Sequence, residues 1–438
     1  MHKSVVIDRI CRVEGHGGIT VNIEDGQVTE VKMDVFEGTR FFEPLVVGRT
    51  YDEVAPILMR ICAICSGTHT VASLMAVENA LGVKVTEQTG LLRDLLVQGG
   101  SIESHALHLF CLVLPDFLNY PSAVALASDY PAEVKMGLEL KRLGNAIQET
   151  IGGRAIHPVN AVVGGFGRLP TSEQLLDLKE QLERGLEQSR VTFDLVSSLE
   201  MPDFCASPNT YAALSGNGAG PARQTAGGYS LFGNKIALST GDTKEIGAYK
   251  DICNEKVVPH SHAKHSRFKD NPFMVGALAR VVLNGKKLSG QAGKAAERLD
   301  SELLSGNSLH NNTAQAIELI YSIERSIEII DELLTRGIKE EKPLRVTTRA
   351  GTGTGAVEAP RGTLYHSYSF DKSGRLTEAD VITPTAQNLA NMEKDLRVSV
   401  QNLINEPKES IAPKLEMVVR AYDPCISCAV HLVEVNFK

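Results

Sequence analysis

Two C-x-x-C pairs stand near opposite ends of this 438-residue chain, Cys62/Cys65 in RICAICSGTHT and Cys425/Cys428 in DPCISCAVH. Thiolates three residues apart suit a metal, because one turn of backbone can aim both sulfurs at one ion. In a structural zinc ribbon the second pair follows within about 15–20 residues, so that a small module closes around the ion. Here a shared ion would draw the two ends together across the whole molecule. Structural zinc, two independent redox pairs and a four-thiolate functional metal site are all compatible with this spacing. The other four cysteines, Cys11, Cys111, Cys205 and Cys253, stand alone. Eight in a chain this long are too sparse for a disulfide-stapled secreted scaffold.

Composition narrows the class. Apolar residues at 43% and charged residues at 22% describe a folded chain rather than a disordered one. The net charge of −8 argues against a nucleic-acid binder, which needs a basic footprint. No stretch approaches the ~20 apolar residues of a membrane span; the best candidate, Phe273 to Leu283, is short and carries Arg280. The N-terminus, MHKSVVIDRI, becomes charged too early for a signal peptide, so a cytoplasmic location is expected.

Alternation predicts strands at Val5–Ile7, Ile19–Ile23 and Val28–Val35, with Glu24 to Gln27 as a hairpin turn. A helix is expected from the first cysteine pair through Met75, and a strongly apolar, central one over 86–114. Thr171 with Gln174 has the form of a capping box opening a helix that reaches about Leu199. Residues 202–247 read as short strands and loops. A helix over Asn312–Thr335 carries an isoleucine stripe. Strands are expected over Gly362–Phe370 and Leu376–Ile382, and a last helix over Ala386–Leu403. The expected fold is mostly α with peripheral β-hairpins (α+β), a large helix-bundle body. We expect one integrated catalytic domain over 1–438. Within it lie a β-rich layer (1–50), a helical body (60–200 and 305–405), a C-terminal metal-binding segment (415–431) and a tail (432–438).

The paired boxes Arg60-Ile-Cys62-Ala-Ile-Cys65-Ser-Gly-Thr-His69 and Asp423-Pro-Cys425-Ile-Ser-Cys428-Ala-Val-His431 resemble the signature ends of nickel–iron hydrogenase large subunits. The resemblance extends through RVEGHGG (12–18), RFFEPLVVGR (40–49), SHALHLFCLVLPDF (104–117), EAPRG (358–362) and ITPTAQN (382–388). GRAIHPVNAVVGGFGRLP and HAKHSRFKDNPFMVGALARV are similar to the cytoplasmic NAD(P)-linked and sulfhydrogenase-type branch.

By this resemblance all four thiolates bind nickel. Cys62 and Cys425 are then terminal ligands, and Cys65 and Cys428 bridge to an iron carrying carbon monoxide and cyanide. The implied reaction is reversible heterolytic cleavage of molecular hydrogen. It needs a Lewis acid for hydride and a base for the proton. Cys425 is the implied first proton acceptor and Glu14 the implied relay carboxylate. Arg361 is placed over the iron, where its guanidinium donates to a cyanide; its very high pKa makes it a poor base. His69 is expected to tune the bridging sulfur. Asp116 and Asp423 are expected to pair with the arginine, and Thr385 with backbone near Pro384 to bind the other cyanide. Glu43, the carbonyl near Val381 and His431 would hold a magnesium or iron ion.

The four lone cysteines are too scattered for an iron–sulfur cluster. An iron–sulfur small subunit is therefore expected as electron partner, with further flavin and iron–sulfur diaphorase-type subunits. NAD(P), ferredoxin, polysulfide, a deazaflavin and a bifurcating pair are all compatible as acceptors. LVEVNFK follows His431, where the resembled family loses a tail to a maturation protease after nickel insertion. The chain is expected to be an unprocessed precursor or a member in which cleavage does not happen. Met59, Phe41 and Gln387 replace a common proline, glycine and tryptophan; none is a ligand.

Alternatives are a non-hydrogenase structural or quinone-type relative, as in respiratory complex I, and a structural zinc protein. The complex I relative lacks the nickel cysteines. GTGTGAVEAPRG is not G-x-G-x-x-G and leads into a strand, which disfavours a dinucleotide site. His260, His262 and His265 form H-x-H-x-x-H, readable as zinc ligands; Lys264 and Arg267 favour an exposed basic loop instead. His105 and His108 are expected to be packed and hydrogen-bonded.

Overall fold

The computed structural model describes residues 2–38, 41–216, 228–299 and 306–430. Strands β1 (His2–Ile7), β2 (Gly17–Glu24) and β3 (Gln27–Val35) pair antiparallel in that order. Val5 opposes Val21 and Ile19 opposes Met33, and all four are buried, as a period of two with one covered face requires. Only Asp25 and Gly26 make the β2–β3 turn. Their φ values of 47° and 78° give the backbone twist that a two-residue hairpin prefers.

The helical body contains α1 (Ser66–Leu81), α2 (Glu87–Leu107), α3 (Pro131–Gly152), α4 (Ser172–Ser197), α5 (Asn311–Arg336), α6 (Pro384–Asn402) and α7 (Lys408–Ala421). The architecture is helical with small antiparallel sheets, the expected class. Helix α2 is buried on every face from Thr89 to Ala106, so its apolar character is that of a central helix. It runs on as one π-helical turn, His108–Val113. The capping box forms: Thr171 N–H donates to Gln174 Oε1 (2.9 Å) and Gln174 N–H to Thr171 Oγ1 (3.2 Å). On α5 the Ile317, Ile320 and Ile330 stripe is buried.

A second sheet is built from β4 (Gly351–Ala359), β5 (Gly362–Phe370) and β6 (Leu376–Ile382), with β5 in the middle. The GTGTG run is thus itself a strand, which corrects its reading as a loop leading into one. Its glycines let β4 lie directly on α1: a Cβ at Gly355 would stand 2.2 Å from the Ala72 carbonyl oxygen. A smaller sheet, Ala212–Ser215, Lys235–Leu238 and Thr243–Glu245, carries a second core with Phe273, Tyr365 and Ile382.

These elements aim five segments at one point. They are the β1–β2 connection with Glu14, the turn before α1 with Cys62 and Cys65, and the β4–β5 turn with Arg361. The N-terminus of α6 brings Thr385, and the stretch after α7 brings Asp423 to Val430.

Candidate metal centre

Cys62 ends the short 3-10 turn Met59–Ile61 in an extended conformation, and Cys65 is the N-cap of α1. The Cys65 N–H points at Cys62 Sγ (3.1 Å), and both sulfurs lie where the helix dipole favours negative charge. At the other end of the chain Asp423 takes φ 51°, a left-handed backbone rare for a residue with a side chain. It turns the chain after α7, and Pro424 follows. Cys425 then pairs alongside Glu14 in a parallel bridge, with Ile426 N–H donating to the Glu14 carbonyl (2.9 Å). The Cys425 N–H donates to Thr385 Oγ1 (3.0 Å).

The result joins the two ends. Cys62 and Cys425 sulfurs are 3.5 Å apart, Cys65 and Cys428 3.7 Å, and Cys425 and Cys428 3.0 Å. All four are buried. Thiolates about 2.3 Å from a shared tetrahedral ion stand roughly 3.7 Å apart; the Cys62–Cys425 and Cys65–Cys428 spacings match this, while Cys425 and Cys428 must part slightly to admit the ion. The thiols divide in their acidity. Cys62 is pushed well down: burial opposes its charge, but hydrogen bonds from Cys425, Cys428 and Cys65 and the charge of Arg361 prevail. Cys425 is also lowered, first by the Cys428 thiol. Cys65 is raised, first by its bond to Cys425, and Cys428 is raised first by burial. Four buried sulfurs cannot all ionise without a cation among them.

Glu14 faces the cluster. Its Oε2 accepts from Cys425 Sγ (3.1 Å) and from Ser427 N–H (3.1 Å), and its Oε1 accepts from the Ser427 hydroxyl. Burial, then the neighbouring Cys425 charge, raises its pKa from 4.5 to about 7. Arg361 lies near the cysteines, fixed by Asp423: Nε donates to the Asp423 carbonyl (2.6 Å) and Nη2 to Oδ1 (2.9 Å). Burial works against its charge, yet Asp423 and the cysteine sulfurs hold the pKa well above the arginine norm. Its Nη1 is buried with no protein partner, a donor free for a small acceptor. Pro384 and Thr385 are the first two residues of α6.

Asp116 is placed differently from expectation. It pairs with Arg12 and Arg420, not Arg361: Arg420 Nε reaches Oδ2 at 2.6 Å and Nη2 reaches Oδ1 at 2.9 Å. The physical reason is its position after the π turn, beneath both the Glu14 loop and the end of α7. Arg420 also donates to the Cys11 carbonyl (2.8 Å), so this carboxylate ties the two segments that carry Glu14 and Cys425. Arg12, like Asp423, is left-handed (φ 59°), and its ion pair to Asp116 helps hold that strained backbone.

His69 is buried beside α1's cysteine and its Nδ1 meets His366 Nε2 at 3.0 Å. His366 continues to the Tyr368 hydroxyl, which donates to Ser73 Oγ (2.9 Å). Glu43 accepts the Val381 N–H (2.8 Å) and is raised by burial. His431 lies outside the described residues, although Val430 beside it pairs with Ala263.

Sequence reasoning missed Arg12, Arg420, Ser427 and Gln315, whose amide donates to Asp423 Oδ2 (3.2 Å). His105 and His108 are buried and bonded as expected, to Glu318 (3.0 Å) and to the Arg420 carbonyl (2.7 Å). The histidine loop is not the exposed basic loop expected: His265 is buried and Glu393 approaches it. Among the described residues no helix is long and apolar enough to cross a membrane.

The model of the nickel-dependent hydrogenase family matches residues 40–136 and 226–431, and a HoxL-like model matches 4–37. The chain is 41% identical to sulfhydrogenase 1 subunit alpha of Pyrococcus furiosus, over 99% of both proteins. It is 39% identical to sulfhydrogenase 2 subunit alpha of the same organism, over 98% of this chain and 99% of that one. It superposes on the H2-reduced crystal structure of an NAD+-reducing NiFe-hydrogenase with a TM-score of 0.88 at 26% identity, covering 98% and 99% of the two chains. With four buried cysteines converging from both ends and this match along its length, the chain belongs to the nickel-dependent hydrogenase family, as a large subunit.

Proposed function

We propose that Cys62, Cys65, Cys425 and Cys428 would hold a nickel–iron pair, with Cys65 and Cys428 also serving the iron, and that molecular hydrogen is split reversibly into protons and electrons at this site. When bound, the metals supply the Lewis acidity and the electron acceptor that hydrogen, a very weak acid, requires. The observation that carries the reading is the four-sulfur cluster itself, with Glu14 bonded to Cys425 and the Arg361 charge acting on its cysteines.

The chain's own groups handle the proton. Cys425 Sγ takes it and passes it to Glu14 Oε2, 3.1 Å away. With a pKa near 7, Glu14 can both accept and release it at neutral pH. Ser427 holds the carboxylate in place through its N–H and hydroxyl. Arg361 stays charged and polarises the site, and its unpartnered Nη1 is the donor for a cyanide on iron. Thr385 and the backbone N–H groups that follow Pro384 at the start of α6 would serve the second cyanide, as helix N-termini serve anions. Asp423 fixes Arg361, and His69 orders the neighbourhood of Cys65.

Glu43, the carbonyl near Val381 and His431 would hold a magnesium or iron ion that pins the C-terminal segment. Oxygen donors suit magnesium. Electrons leave to an iron–sulfur small subunit and on to NAD(P) or ferredoxin through flavin-bearing subunits, in the cytoplasm. Support comes from the relatives: one protein matched over 98% of this chain at 28% identity is the NAD-reducing hydrogenase HoxS subunit beta of Cupriavidus necator. Hydrogen-dependent dye reduction by the nickel-loaded complex tests the reading. Activity is expected in the native complex and none in Cys425→Ser. Equal activity in both would overturn it.

A further inference from the structure

The second group of metal-ligating side chains among the described residues is unrelated to the cysteines. His260, His265 and Glu393 offer ligand atoms that all lie within 4.8 Å of one another. His260 Nε2 is 2.8 Å from Glu393 Oε1, and His265 Nδ1 is 3.7 Å from Oε2. The two rings meet edge to face, with centroids 5.6 Å apart at 86°. Two ligands of one zinc ion, each about 2.0–2.2 Å from it, stand roughly 3.3–3.6 Å apart. The His265 spacing is too long for a hydrogen bond and close to that value.

His265 is buried, 2% exposed, and turns its Nδ1 toward Glu393. Burial, then the charges of His260 and Arg267, lowers its pKa to about 4, so the imidazole is neutral and its lone pair available. Glu393 is held by a third element, since its Oε1 also accepts the Met33 N–H of β3 (3.0 Å). His262 is not part of the group; it is exposed, and its Nδ1 meets the Glu37 carbonyl at 3.0 Å. The H-x-H-x-x-H motif thus contributes two of its three rings, and α6 supplies the carboxylate.

We propose that His260, His265 and Glu393 bind a zinc-class divalent ion that clamps the 254–271 loop to α6 and β3. Two imidazoles and a carboxylate are a donor set zinc accepts, with water filling the remaining position. The clamp has a mechanical consequence. Between its two histidines lies Ala263, whose backbone pairs with Val430, two residues beyond Cys428. The ion therefore steadies the surface on which the C-terminal cysteine segment is laid down. The site is chemically separate from the cysteine cluster, and the proposal does not depend on which metals the cysteines hold.

Metal analysis of the matured, nickel-loaded complex tests it, because there the cysteines are already taken. One zinc equivalent is expected in the native protein, retained in His262→Gln and lost in His260→Gln and Glu393→Gln. Zinc retained at one equivalent in the last two would overturn the proposal. X-ray absorption on native protein gives a test independent of how the variants fold. Zinc surrounded only by nitrogen and oxygen with imidazole scattering supports the site; sulfur ligands, or no zinc after incubation with Zn2+ alone, overturn it.

Discussion

Glu14 touches Cys425 and Ser427 through both carboxylate oxygens, so its geometry and its chemistry can be separated by one substitution. Glu14→Gln keeps an oxygen for the Ser427 N–H and loses the ability to carry a proton. Hydrogen–deuterium exchange is expected to fall ~10²–10⁴-fold, with nickel content unchanged; exchange at the native rate would remove Glu14 from the relay. Arg361→Lys keeps a charge but not the fork that grips Asp423. Turnover should drop by about 10²-fold or more, as for loss of an aimed donor, read as dye reduction per nickel. At this scale the sequence was legible where chemistry is written in short motifs: the cysteine boxes, Glu14 and Arg361. Arg12, Arg420 and Gln315 were not. Each is a common residue type whose partner lies far off along the chain, so no local pattern marks it. Asp116 failed for the same reason: its residue type was readable, its partner was not.

Among elements, β4 and α1 show how a misread motif can be informative. Gly353 and Gly355 carry no side chains because helix backbone occupies that space. Gly355→Ala is expected to destabilise the fold by ~1–3 kcal/mol, the usual cost of overpacking, measured as a shift in denaturant midpoint. An unchanged midpoint would show that α1 can move away. Helices α3 and α7 escaped the sequence reading, α7 because Pro413 stands inside it and breaks the expected pattern. A buried ionic knot joins α2, α5, β4 and the helix Ala277–Asn284. Arg280 reaches Glu318 at 2.6 Å and Glu358 at 3.0 Å, and His105 also meets Glu318. Burial alone would raise the Glu318 pKa, but Arg280 and His105 bring it from 4.5 down to about 2. Its contribution is therefore complete above about pH 4.5 and lost as pH falls toward 2. Glu318→Gln should cost ~3–5 kcal/mol, because Arg280 loses much of its buried countercharge. A native-like unfolding midpoint at pH 7 would contradict this.

Across the whole molecule, the two cysteine pairs impose the closure that their separation first suggested. The ends meet at the cysteines, the Glu14–Cys425 bridge and the Asp116–Arg420 pair. Metal bound to the folded state but not to the unfolded chain adds stability, about 4 kcal/mol at a thousandfold excess over Kd. The nickel-loaded subunit is therefore expected to resist proteolysis after α7 that the metal-free subunit suffers; equal cleavage would show closure independent of metal. Helices α1, α2, α4, α5 and α6 and both hairpins were readable because period and turn chemistry are local. The convergence of five segments was legible only through the family resemblance of the motifs, because it is a property of packing that no local pattern carries. The most direct test is combined nickel analysis and infrared spectroscopy of the complex assembled with its iron–sulfur partner. One nickel per chain with bands of iron-bound carbon monoxide and cyanide, both absent in Cys65→Ser, is the predicted result. A nickel-replete complex lacking those bands would contradict the account.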